Sequence, residues 1–210
     1  DLSLQETLSK LRNQPEIKAL VLRINSPGGS AQAADNMWHA LRKFGREMKI
    51  PIVASVGAAA ASGGYYIACA ADYIVAEPTS LVGSIGIYGG KVTVSGLLDK
   101  LDIASAGVQT HPSADAQSPY RAFTIQETAT LQASMDDFYE RFVTVVAQGR
   151  KMTYSQVDKL GEGQVFTGMA GQHNGLVDEI GGLQTAINKA TALANIKKNV
   201  KLELKYYSTT

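Results

Sequence analysis

Two apolar runs, Ile17–Ile24 and Ile50–Val56, each end in a glycine-bearing turn, and each turn leads into a stretch of helical character. This succession constrains the fold more than any other feature. A strand that feeds a turn and then a helix builds βαβ units, with helices packed on a parallel sheet and right-handed connections. Ala19-Leu20-Val21-Leu22 is apolar without alternation, which suits a strand covered on both faces. Pro51–Val56 is apolar and β-branched, the pattern of a buried strand. The turn after the first run reads Asn25-Ser26-Pro27-Gly28-Gly29-Ser30 and opens a helix over Ala31–Lys43. The turn after the second, Ala58–Tyr66, reads Ala-Ala-Ala-Ala-Ser-Gly-Gly-Tyr-Tyr and opens a small-residue helix over Tyr65–Ala71. A further strand is predicted at Tyr73–Val75. Both turns then lie at the C-terminal ends of strands, the edge at which open α/β sheets bind ligands.

One hydroxyl, Ser62, falls where strand gives way to helix. Gly57, Gly63 and Gly64 permit tight backbone around it and leave room for a ligand. A helix N-terminus also offers unpaired N–H groups. The N–H groups of Gly29 and Gly63 can converge on one oxyanion, which is favourable ground for a nucleophile attacking a carbonyl. The bland alternative is a strand–turn–helix packed with small residues. Neither turn has the Gly-x-Gly-x-x-Gly order or a phosphate-loop Gly-Lys-Ser/Thr, so nucleotide binding has little support. No metal or cofactor is called for.

The remaining elements follow the same logic. Leu4, Leu8 and Leu11 give Leu2–Asn13 a helical spacing. Thr79–Gly90 is apolar, glycine-rich and short of charge, as in a buried segment near a site, and Ser84 is its polar residue of interest. Val92–Leu101 reads as strand then helix, and Gly107–Phe123 as a loop. Thr124–Gln148 is the strongest helix, with Thr124 and Glu127 spaced as a capping box. Ile125, Leu131, Met135, Phe138, Phe142 and Val145/Val146 form its core stripe. Thr153 and Ser155 open a short helix toward Leu160. Val165–Phe166 and Leu176–Val177 are short apolar pieces between glycines. Leu183–Ala194 is a helix, and Val200–Tyr207 alternates as a strand. A length of 210 residues favours one domain, or one with an appendage, and 45% hydrophobic with 19% charged residues describes a soluble globular protein. A net charge of +1, with only Lys197–Lys201 mildly basic, implies no polyanion. Aromatics are not interleaved with basic residues, so nucleic acid is not an expected partner. The longest apolar runs are interrupted by Ser, Gly and Asp, so no transmembrane helix is expected. The single cysteine, Cys69, has no internal disulfide partner and reads as a buried thiol.

Ser26-Pro27-Gly28-Gly29-Ser30, Ala61-Ser62-Gly63-Gly64-Tyr65-Tyr66, Gly83-Ser84-Ile85-Gly86, Phe166-Thr167-Gly168 and Gly175-Leu176-Val177-Asp178 together resemble the signal peptide peptidase A family, also called protease IV. The motifs stand in the family's order and spacing over essentially the whole chain. The resemblance implies an α/β fold shared with Clp-type proteases and crotonases, with stacked ββα units around a parallel sheet. It implies a serine endopeptidase with a Ser–Lys dyad that cleaves remnant signal peptides at a membrane. Ser62 would be the nucleophile, Gly29 and Gly63 the oxyanion donors, and Ser84 the hydroxyl that orients the lysine. A homo-oligomer is also implied, bowl-shaped and a tetramer of the full-length chain. The location would be a bacterial inner membrane facing the periplasm, or a thylakoid membrane in a plant, reached through a segment absent here.

One departure matters. Short family members carry their lysine four residues before a Ser-Pro pair; here the pair is Ser118-Pro119 and the position is Ala114, although Asp115 fits. Long members hold two such domains, lysine in the first and serine in the second. This chain resembles the second, a fragment whose partner is an upstream lysine-bearing domain. A serine hydroxyl still needs a proton acceptor. The in-chain candidates are His39, His111, His173 and Lys91; His111 is the histidine to keep, being near the loop that lacks lysine. Two other functions remain open: a crotonase-like acyl-CoA enzyme, and a catalytically silent assembly module. For a peptidase, Ala58–Ala61, Leu81–Val82 and Ile85–Tyr88 are expected to line pockets for an extended apolar peptide.

Overall fold

The computed structural model describes residues 2–197 and 200–207. The chain forms two compact units, Asp1–Gly86 with Arg141–Thr210, and Ile87–Glu140.

The first unit is α/β, built on a curled and mostly parallel sheet. Helix α1 (Leu2–Arg12) buries Leu4, Leu8 and Leu11, the expected stripe. Strand β1 (Leu20–Ser26) leads through the Pro27–Ser30 turn into α2 (Ala31–Met48). Strand β2 (Ile52–Ala61) leads through Ser62 into α3 (Gly63–Ala68). Two further strands, β3 (Tyr73–Ala76) and β4 (Leu81–Gly83), pair with β2 in parallel. Strand β2 runs five residues past Val56, through Gly57 and four alanines, to the turn. Alanine is a poor strand former by itself; pairing on both edges overrides that preference. Strand β1 is shifted from its expected place and mostly half-buried, with only Ile24 fully covered, so it is not the doubly covered strand its composition suggests.

Strand β2 organises the sheet. Its first half pairs with β1 on one edge and with Tyr73–Ala76 on the other. Its second half pairs through Ala59–Ala61 with Leu81–Gly83. Between the halves the register with β1 slips, from Ile24 opposite Val56 to Ser26 opposite Ala60. The extra residues bend the strand, the usual effect of a bulge. Side chains take the backbone groups the slip frees: Ser80 Oγ donates to the Gly57 carbonyl at 2.6 Å, and Asn25 Oδ1 accepts from Ala59 N–H at 3.3 Å.

Past Gly83 the chain leaves the parallel sheet. Strand β4 also pairs antiparallel with Val165–Thr167, strand β5 below, so the sheet has one antiparallel edge. In the second unit, α4 (Ser95–Lys100) buries none of its residues, and no strand forms over Val92–Val94. Tyr88, Gly89 and Gly90 are exposed, unlike the buried segment expected there, whereas Val82 and Ile85 are core. Helix α5 (Ile125–Arg150) starts at the expected capping box: Glu127 N–H donates to Thr124 Oγ1 at 3.2 Å, and Thr124 N–H donates to Glu127 Oε2 at 2.8 Å. Its stripe buries Phe142, Val145 and Val146 but leaves Ile125 at 92% exposure, because Ile125 sits on the first turn.

The first unit resumes with the last turns of α5, from Arg141 onward. It continues through α6 (Tyr154–Asp158), β5 (Val165–Thr167), α7 (Gly168–His173), β6 (Glu179–Ile180) and α8 (Leu183–Leu193). Helix α8 covers the sheet face that carries Val53 and Val75, through Ala186 and Ala190. On α2, Gly45 lies against Ile52. Cys69 is buried and unpaired, and burial pushes its thiol up to about 12. Val200–Tyr207 is exposed and forms no strand, and among the described residues no strand pairs with it. The Lys197–Lys201 stretch lies partly outside the described residues. Among the described residues no helix is long and apolar enough to cross a membrane.

Candidate active site

The turn at the end of β2 is a sharp elbow. Ser62 has φ 50° and ψ −124°, a region that side chains disfavour. The elbow is fixed from both directions. Ser62 N–H donates to the Gly83 carbonyl at 2.8 Å, and the Ser62 carbonyl accepts from Tyr65 and Tyr66 N–H at 2.9 Å each. Its side chain makes no bond to the helix it precedes and is half-buried. Holding a serine at positive φ costs about 1–3 kcal/mol, which the surrounding pairing must outweigh. Strained backbone of this kind is also found at the nucleophile elbows of α/β-hydrolases, where it exposes a serine hydroxyl.

The Pro27–Ser30 turn is pressed against this elbow. A Cβ built on Gly28 would stand 2.7 Å from Ser62 Cβ and 3.0 Å from the Ala61 carbonyl oxygen, and Gly28 has φ 114°. Only glycine fits there. A Cβ built on Gly63 would stand 3.4 Å from Gly29 N and 3.3 Å from Ala34 Cβ, so the Gly29 and Gly63 backbones are immediate neighbours. Neither N–H has a hydrogen-bond partner among the described residues. Gly28 N–H, by contrast, is satisfied by Ser26 Oγ at 3.2 Å. Two unpaired donors beside one hydroxyl can hold the oxygen of a carbonyl under attack.

Ser84 comes to the same edge. Ala61 stands opposite Gly83 in parallel register, so Ser62 and Ser84 leave adjacent strands one residue later. Neighbouring strands lie about 4.8 Å apart. Ser84 also has positive φ, 51°, and its N–H donates to the Gln164 carbonyl at 2.7 Å. Of the expected pocket residues, Leu81 is 48% exposed and Ala58 is open, whereas Ala60, Val82 and Ile85 are fully buried core and line nothing.

Among the described residues no proton acceptor bonds to the Ser62 side chain. His39, on α2, meets Arg141 Nη2 at 2.7 Å through Nε2. A guanidinium has only donors, so Nε2 can take part in this contact only as the acceptor. His111 is exposed in the second unit, and its Nδ1 accepts from Ser113 N–H at 3.4 Å. His173 ends α7 and is exposed. Lys91 Nζ donates to the Ala116 carbonyl at 2.6 Å and lies 4.3 Å from the centre of the Phe123 ring. Ala114 is exposed, while Asp115 beside it pairs with Arg121 at 2.6 Å. Arg121 also bonds Glu127 at 2.7 Å.

Sequence reasoning missed the polar cluster behind the elbow. Tyr66 is fully buried, and its hydroxyl donates to Asp35 Oδ1 at 2.6 Å. Arg141 Nε donates to the same oxygen at 2.7 Å and Nη2 to Oδ2 at 3.0 Å. These residues come from α2, α3 and α5, and nothing in their sequence spacing joins them. The only available signal was a tyrosine pair inside a small-residue helix.

The model of peptidase family S49 matches residues 45–197, which include the elbow, Ser84 and β5. The chain is 43% identical over 195 residues to Protease 4 of Salmonella typhi, covering 91% of this chain and 31% of that protein. It is 39% identical over 201 residues to Protease 4 of Haemophilus influenzae, covering 93% and 32%. It is 35% identical over 200 residues to a protein of Arabidopsis thaliana named Serine protease SPPA, chloroplastic, covering 95% and 29%. The chain thus spans about a third of the length of these curated relatives.

Proposed function

The chain belongs to peptidase family S49, and on that premise we propose that it is the serine-bearing domain of a Ser–Lys endopeptidase. The observation that carries the reading is the elbow. A half-buried hydroxyl at φ 50° stands beside the neighbouring, unpartnered N–H groups of Gly29 and Gly63. In the reaction, Ser62 Oγ attacks the peptide carbonyl and its proton passes to a neutral lysine amine. The carbonyl oxygen takes up negative charge and is held by the two glycine N–H groups. Collapse expels the amine fragment, which receives the proton from the lysine. Water, activated by the same base, then attacks the acyl-serine and frees Ser62. Ser84, one strand away, orients the lysine and helps keep it neutral.

The lysine comes from another domain. Lys91, His39 and His111 each have partners of their own, and Ala114 has no proton acceptor. The length of the relatives leaves room for an upstream domain of the same family. Remnant signal peptides as substrate follow from the motif resemblance, as does a Clp- and crotonase-like stacking of ββα units. So do residence at a membrane and assembly as a homo-oligomer. The near-complete exposure of Tyr88 and Ile125 supports assembly. Membership in a peptidase family leaves the acyl-CoA alternative without support.

The test is Ser62→Ala in the full-length protein, assayed with a peptide substrate and a fluorophosphonate serine probe. Both turnover and labelling should disappear while the melting temperature holds. Turnover surviving in this variant would sink the assignment.

A further inference from the structure

Each of the two oxyanion donors is tied to the start of a helix. Gly29 stands two residues before α2, whose cap Ser30 Oγ accepts from Ala33 N–H at 3.3 Å. Gly63 is the first residue of α3. Near the donors, the closest neighbours of Gly63 are backbone and small groups: Gly29 N, Gly28 Cα and the methyl of Ala34. Such a contact has no interlocking side chains to fix its spacing. One turn further along, it does. Tyr66 OH donates to Asp35 Oδ1 at 2.6 Å, and the Trp38 ring meets the Tyr66 ring edge-on with centroids 6.4 Å apart. The bond from Tyr66 is charge-assisted and short, and Arg141 donates to both oxygens of the same carboxylate.

We propose that Tyr66 and Asp35 are a positioning pair that fixes the distance between the oxyanion donors Gly29 and Gly63. The proposal rests on the reading of Ser62 as nucleophile. Neither residue touches the reacting atoms. Asp35 lies six residues after Gly29 and Tyr66 three after Gly63, so the bond braces the two helices directly behind the donors. An oxyanion donor works only within about 2.7–3.1 Å of the oxygen, and catalytic geometry must hold to about 0.5 Å. The pair also stays in its bonding state. Burial works to raise the Asp35 carboxyl, but hydrogen bonds from Arg141 and Tyr66 outweigh it and hold the group below the ordinary carboxylate range. Burial and the neighbouring carboxylate raise the Tyr66 phenol, which keeps its proton. Tyr65 provides the contrast. It is equally buried on the same helix, and its hydroxyl donates to the Leu176 carbonyl at 2.7 Å, which anchors α3 without reaching α2.

The experiment compares Tyr66→Phe, Asp35→Asn, their double variant, Tyr65→Phe and Ser62→Ala in the full-length protein. It reads kcat, KM, melting temperature and the inhibition constant of a peptide boronate, whose oxygen occupies the oxyanion position. Tyr66→Phe should lower kcat roughly 10–100-fold, below the loss from deleting a donor outright, with KM within about twofold. Boronate affinity should fall by the same factor as kcat/KM. The double variant should be no slower than the slower single variant, because both break one bond. Tyr65→Phe should lose stability while keeping kcat. Wild-type kcat in Tyr66→Phe, or an equal kcat loss in Tyr65→Phe, overturns the pair as a positioning device. If Ser62→Ala is dead in those same assays, the nucleophile survives that failure; if Ser62→Ala retains turnover, both readings fall together.

Discussion

Gly28 shows how little tolerance the elbow has at the scale of a residue. Its φ of 114° lies where side chains are strained, and an added methyl would meet Ser62 Cβ at 2.7 Å. Relief requires either the Pro27–Ser30 turn or the elbow to move. Gly28→Ala should therefore cost about 1–3 kcal/mol of stability and at least about tenfold in kcat, since a displacement of a few tenths of an ångström reaches the reacting atoms. Urea unfolding and steady-state kinetics check both, and a variant with wild-type kcat would show that the two turns are not rigidly coupled. The glycines here were legible in the sequence as turn formers, but the clash was not. It arises between residues 28 and 62, in the turns that follow two different strands, and only the fold brings them together.

At the scale of an element, two devices can be tested. Ser80 is 2% exposed; its hydroxyl donates to the Gly57 carbonyl at 2.6 Å and accepts from Glu77 N–H at 3.0 Å. Ser80→Ala leaves the buried Gly57 carbonyl at the bend of β2 without this donor and the Glu77 N–H without its acceptor, and should cost about 1–3 kcal/mol. A loss below half a kcal/mol in urea melts would mean that water or a relaxed turn replaces it. The capping box of α5 gives a pH dependence. Hydrogen bonds from Arg121 and the Thr124 N–H hold the Glu127 carboxyl down to about 2, against an ordinary value of 4.5. A depressed carboxyl contributes its stability in full above the unfolded value and loses it as pH falls through the folded one. Melting temperature should therefore fall between pH 4.5 and about 2. Glu127→Gln should start lower and fall less, with a residual slope from Asp115, which Arg121 also depresses. Identical slopes would exclude Glu127 as a source. This box was readable in advance because Thr124 and Glu127 are three residues apart and a cap is a local interaction. Most helices and the strands β1, β2 and β3 were readable from local pattern as well, whereas α7, β4 and β6 were not among the expected elements. The extension of β2 through four alanines was not, because it depends on partners at residues 26 and 81–83. Nor was the absence of structure over Val200–Tyr207, where alternation is present and, among the described residues, a pairing strand is not.

At the scale of the molecule, the chain alone should be nearly inactive. It carries the proposed nucleophile and the two proposed oxyanion donors but, among the described residues, no base bonded to Ser62. What remains is the contribution of binding and the oxyanion hole, about 10³–10⁴-fold over water in well-studied triads. Assaying the chain alone and then with a lysine-bearing domain of the same family should show turnover only in the second case. Full turnover by the chain alone, lost on Lys91→Ala or His111→Ala, would place the base within it. The strained backbone at Ser62 has one more consequence. At φ 50° glycine is the residue of lowest energy, and Ser62→Gly should be more stable than Ser62→Ala by roughly 1 kcal/mol, read as a higher melting temperature. A duplicated domain kept only as scaffold would be free to settle into that cheaper residue. Serine at this elbow is thus a thermodynamic debt, one that makes sense while the hydroxyl reacts and that a copy retired from chemistry has no reason to carry.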